Sequence, residues 1–101
     1  MSVNIGFNLR VSNVVDEAQA QAIVGEIREL MRDESIADQV RVAVEKEGDG
    51  WFVEGQTDFP IIVSRSYLWC PKFEESVAWY VKEVAPSAKV VLDWNYPDEE
   101  H

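Results

Sequence analysis

The chain has 101 residues, with nine Lys or Arg against nineteen Asp or Glu, a formal net charge of −10. Apolar side chains make up 47% of it, enough for one packed core and too many for a disordered acidic tail. Such charge is repelled by nucleic-acid phosphates and anionic membranes, while one Cys and one His leave no internal disulfide and little for a metal.

Residues 3–11 alternate between apolar Val3, Ile5, Phe7, Leu9 and Val11 and small or polar Asn4, Gly6, Asn8 and Arg10. A period of two over that length predicts a strand with one buried and one wet face. Asp16, with Gln19 three residues on, forms a capping box, so a helix is expected to open there. Ala20, Ile23, Val24, Ile27, Leu30 and Met31 give its apolar stripe, which carries the helix to about Arg32. Gly25 falls on the far side of that stripe.

A second strand is expected from about Gln39 to Lys46, with Val40, Val42 and Val44 on one face, and a third from Trp51 to Gly55. Between them Glu47-Gly48-Asp49-Gly50 is turn chemistry. A two-residue Gly48-Asp49 loop sets Val44 opposite Val53 and Lys46 opposite Trp51. Looping at Asp49-Gly50 instead sets Glu45 against Glu54, a like-charge pair that sheets disfavour. The first register leaves Phe52 on the outer face, in want of a cover. Pro60 confines any strand made by Ile61-Ile62-Val63-Ser64 to its own first residue or to a sheet edge. Two readings stay open there: an extra edge strand at 61–65, or a segment folded across the outer face over Phe52.

Pro71 suits the first turn of a second helix, where its missing amide is not needed. Phe73, Val77, Tyr80, Val81 and Val84 supply the buried stripe, and Ala85-Pro86-Ser87 stops it. Val90, Leu92 and Trp94 then alternate with Val91, Asp93 and Asn95 in a last strand. Strand, helix, strand, strand, helix, strand is the split βαβ order. It predicts an α+β, ferredoxin-like βαββαβ two-layer sandwich, an antiparallel sheet with two helices on one face. The first and last strands, being the most apolar, are expected to lie centrally. The other sheet face is left to solvent, to a partner or to the mate in a homodimer.

Residues 1–101 read as a single domain, with 97–101 a frayed acidic terminus. Met1–Asn4 carries no basic region and no long apolar run follows, so no secretory signal is expected. A lone thiol then fits a reducing, cytoplasmic setting.

The residues favour binding over catalysis. His101 is terminal, so Cys70 has no internal imidazole to activate it. At a helix start, Cys70 reads as a small buried side chain. Ser64, Ser66 and Tyr67 stand beside Arg65 without a nucleophile turn around them. Asp93, Asp98, Glu99 and Glu100 are oxygen donors for a hard cation, but lack a shaping loop and read as solvated charge. No phosphate-cradling glycine loop occurs. The expectation is therefore no enzyme activity, no cofactor and no metal.

Four tryptophans are more than the core accounts for. Trp94 and Trp51 follow the inward alternation of their strands. Trp79 lies well off the stripe of the second helix, near Glu75, Glu83 and Lys82, and matches an interface anchor with a charged rim. Its plainer reading is packing under residues 57–70 or stacking on Lys82. Trp69, just ahead of Pro71, packs at the helix entrance first and is a contact residue second. Phe52, Asp93, Asp98 and Glu99 complete the candidate partner-binding set.

The Ser66-Tyr67-Leu68-Trp69-Cys70-Pro71 segment and the Trp94-Asn95-Tyr96-Pro97-Asp98-Glu99 ending, with the size, acidity and aromatic content of the whole chain, resemble the small acidic immunity proteins of bacterial toxin systems. The resemblance implies a cytoplasmic inhibitor that blocks a basic, nuclease-type toxin. Two other readings share parts of this physics. One is a phage-encoded inhibitor or DNA mimic acting on a host defence protein. The other is a ferredoxin-like ligand-binding or housekeeping domain, dimeric through its open face.

Overall fold

A computed structural model describes residues 2–95. Its elements are β1 (Ser2–Val14), α1 (Glu17–Asp33), β2 (Val40–Glu47), β3 (Gly50–Thr57), β4 (Ile61–Ser64), α2 (Ser66–Val84) and β5 (Lys89–Asn95). A 3₁₀ turn at Ala37–Gln39, which no sequence signal had marked, leads into β2. Both helices pack on one face of an antiparallel sheet, the ferredoxin-like sandwich expected.

α1 starts where its capping box places it. The Gln19 amide, one of the helix's orphan donors, donates to Asp16 Oδ1 at 2.8 Å, and the Val15 amide just before the cap donates to Gln19 Oε1 at 2.8 Å. The stripe Ala20, Ile23, Val24, Ile27, Leu30 and Met31 is buried, as its spacing requires. Gly48 takes φ +60° at the first loop position of the β2–β3 hairpin, a conformation glycine adopts without a Cβ penalty. The resulting register pairs Val44 with Val53 and Lys46 with Trp51.

β1 is the seam of the sheet. Asn8–Val14 pair with β3, Gly6–Ser12 with β5, and Ser2–Ile5 with β4. β3 and β5 therefore flank β1 on opposite sides, and the sheet has β1 and β3 at its centre. The expectation of a central last strand is corrected: β5 pairs with β1 alone and lies at an edge. Its apolar content serves one face only, since Val90, Leu92 and Trp94 are half-buried while Val91, Asp93 and Asn95 are exposed. Residues 61–64 do form the extra strand, with Ile61 and Val63 in the core and Ile62 outside.

α2 begins five residues earlier than Pro71 suggests. Arg65, in the left-handed region at φ 55° and ψ 53°, is its N-cap. The amides of Leu68 and Trp69 both donate to the Arg65 carbonyl. Pro71 thus sits in the second turn, where it withholds the amide that would meet the Tyr67 carbonyl; both residues are exposed. Cys70 lies inside the helix and is buried, not at the helix start. The extra turn is held by Trp69, which stacks on Phe73 at 4.7 Å between ring centres. Phe7, Phe73 and Trp94 complete an aromatic cluster between α2 and the sheet.

Candidate functional site

The candidate residues fall on two opposite faces. Phe52 and Asp93 stand on the outer face of the sheet, away from the helices, whereas Glu75, Trp79 and Glu83 are exposed on α2. No single interface can use both sets. Asp98 and Glu99 lie outside the described residues, as do residues 97–101 as a whole.

On the outer face, Phe52 already has its cover. The Arg10 guanidinium stands 4.1 Å from the ring centre, a cation–π contact. Arg10 is held there by Glu47 at 3.1 Å and Glu54 at 3.9 Å. β4 therefore does not shield Phe52; it runs along the first residues of β1 instead. Asp93 borders a depression of about 390 Å³ that Asn8, Arg10, Glu54, Gln56 and Val91 also line. Trp51 is likewise covered from its own hairpin, by Lys46 Nζ at 5.2 Å.

Trp69 is part of the aromatic cluster and half-buried. Its indole N–H donates to Glu34 at 3.1 Å, and that of Trp94 donates to Glu74. Trp69 and Trp94 touch at 6.0 Å between ring centres, which brings the start of α2 against the end of β5. Each indole turns its apolar body inward and its polar tip to a surface carboxylate.

Trp79 stands apart. It is 61% exposed and touches Tyr80 edge-on at 5.5 Å, neither packed under residues 57–70 nor capped by Lys82. Lys72, Glu75, Ser76, Trp79, Tyr80 and Glu83 recur at helical spacing of three and four, so α2 presents them on one stripe. The first five line a groove of about 420 Å³. A smaller hollow of about 130 Å³, lined by Glu34, Trp69, Lys72, Phe73 and Ser76, adjoins it through shared residues.

The end of α1 meets this groove at Tyr80. Tyr80 donates its hydroxyl to Asp33 Oδ2 at 3.1 Å. That bond, some burial and the nearby Glu29 and Glu26 carboxylates hold the Tyr80 phenol above its ordinary pKa, because each disfavours the phenolate. Carboxylates thus gather around the Tyr80 phenol, with Lys72 the cation among the residues that line the groove. Sequence reasoning missed Asp33, Tyr80 and Glu34 as members of this site. Their proximity depends on the α1–α2 packing, which no local pattern encodes.

Among the described residues the ion pairs are Arg10–Glu47, Arg10–Glu54 and Arg41–Asp58, and all of them involve strands or the segment after β3. The carboxylates of the helical groove enter none of them. No group of three His, Cys, Asp or Glu among these residues could hold a metal, and no helix is long and apolar enough to cross a membrane.

No protein-family model matches the chain, and no curated protein does. Solved structures match in fold. The de novo designed protein Foldit4 superposes with a TM-score of 0.61 at 18% identity, covering 94% of this chain and 97% of its own. A dimeric ferredoxin-like protein from an uncultured marine organism superposes at 0.59 and 6% identity, covering 97% and 99%. At these identities the likeness is one of fold.

Proposed function

We propose that this chain is a small acidic binding protein that neutralises a basic protein partner, in the manner of an immunity protein blocking a nuclease-type toxin in the cytoplasm. The observation that carries this reading is Trp79, 61% exposed, sharing a groove with Glu75, whose carboxylate enters no ion pair among the described residues. A large amphipathic ring supplies contact area at low entropy cost. Surplus negative charge supplies speed, since a net −10 draws a cationic partner in faster than free diffusion of neutral bodies. The resemblance of the Trp69 and Trp94 segments to immunity proteins supports the same reading.

The test is protection. The product of the gene neighbouring this one is expressed as a toxin in a sensitive host, with and without this chain. Restored growth, together with a stoichiometric complex of the two purified proteins, is the expected result. A neighbour that is itself acidic and forms no complex argues for the other readings. Phage genes around it favour a host-directed inhibitor. A small molecule ordered in the 390 Å³ depression favours a ligand-binding domain.

A further inference from the structure

We infer that the groove beside Trp79 takes an arginine side chain of the basic partner, stacked on the indole with its guanidinium edge turned to the Asp33 and Glu75 carboxylates. This rests on the capture reading above and specifies what on the partner is recognised.

Two half-buried aromatics of the sheet show the chemistry that Trp79 lacks. Phe52 carries Arg10 at 4.1 Å and Trp51 carries Lys46 at 5.2 Å. Among the described residues no cation is placed over Trp79, although Lys72 lines the same groove. The ring is therefore an unfilled cation–π acceptor that shares its groove with the Glu75 carboxylate. The edge contact with Tyr80 at 69° and the Tyr80–Asp33 hydrogen bond hold one wall of the groove in place. Asp33 spends one bond on that phenol and keeps further acceptor capacity for a charged donor.

Charge complementarity favours a cationic occupant over a second copy of this chain, which would bring net charge of the same sign. It also separates this groove from the outer sheet face, where Arg10 already pairs with Glu47 and Glu54. Arginine fits better than lysine. Its planar guanidinium lies flat on an indole while its edge still donates to a carboxylate, whereas an ammonium is a compact, strongly hydrated point charge. Lys72 is the groove's own competitor, and its removal leaves the carboxylates fully available.

The experiment follows backbone and indole N–H resonances of the whole chain while a hexa-arginine peptide is added at low salt, with hexa-lysine alongside. Shifts are expected at the Trp79 indole and at amides of residues 26–34 and 72–83, with hexa-lysine binding more weakly. Trp79→Ala, which leaves net charge unchanged, should weaken hexa-arginine by about tenfold. Lys72→Met, away from the core, should tighten it. Equal binding by Trp79→Ala, or shifts centred on Asp93 and Glu54, overturns the groove assignment and leaves capture of a basic partner standing. No shift anywhere overturns the groove as well. The protection assay with the neighbouring gene product judges the capture reading separately.

Discussion

Where β1 passes from one neighbour to the next, one side chain replaces a rung of the ladder. The Phe7 amide donates to Thr57 Oγ1 at 3.1 Å, just where the regular β1–β3 register ends at Asn8. The hydroxyl fits only because residue 6 is glycine: a Cβ there would stand 2.7 Å from Thr57 Oγ1. Gly6→Ala is therefore expected to rotate Thr57 and orphan the Phe7 amide, costing about 1–2 kcal/mol in denaturant unfolding. The same change on a Thr57→Ala background should cost clearly less, because the two effects share one hydroxyl. Tyr80 offers a second check at this scale. Its phenol is held above the usual value by Asp33, with burial and Glu29 and Glu26 adding to the effect. A raised folded pKa means that whatever stability the phenol contributes is complete below its unfolded value, near 10, and fades as pH climbs through the folded one. Ultraviolet titration should find the Tyr80 phenolate forming at lower pH in Asp33→Asn than in the parent chain.

The elements divide by how local their causes are. α1 was legible because its cap, stripe and stop are written within a few turns of sequence: Asp16, Gln19 and six apolar residues at helical spacing. Gly25 is the one residue working against it. It is exposed, and a Cβ there meets nothing within 4 Å, so Gly25→Ala should raise stability by about 0.5–1 kcal/mol in thermal or chemical melts. The β2–β3 register was legible too, since of the two glycine-bearing loop placements the one at Gly48-Asp49 avoids Glu45 opposite Glu54. α2 was read short because Pro71 is a strong local signal, and what overrides it is distant: Trp69 stacks on Phe73 and reaches Glu34. β5 was misplaced for a related reason. Apolar content reports that a strand has a buried face, not how many neighbours it has. For the site, helical spacing put Trp79 off the stripe, as found. Asp33, Glu34 and Tyr80 were invisible as a group because they converge only once α1 packs on α2.

Across the whole molecule, charge is arranged unevenly. The sheet's outer face pairs Arg10 and Arg41 with its carboxylates, while the helical groove leaves Glu75, Asp33 and their neighbours without ion pairs among the described residues. Association with a basic partner should therefore slow by about tenfold or more between about 20 mM and 500 mM salt, with dissociation changing less, as stopped-flow mixing would report. An association rate indifferent to salt would count against electrostatic capture. The three-way use of β1 reaches beyond binding. Gly6–Ser12 find their β5 partners only at Lys89–Asn95, so β1 leaves the ribosome well before the strand that covers its flank. Until then its flank is a bare row of amides and carbonyls over an apolar face, the kind of edge that recruits strands from other chains. A chain ended after α2 should accordingly accumulate in aggregates rather than as a shorter folded monomer, however well its helices form.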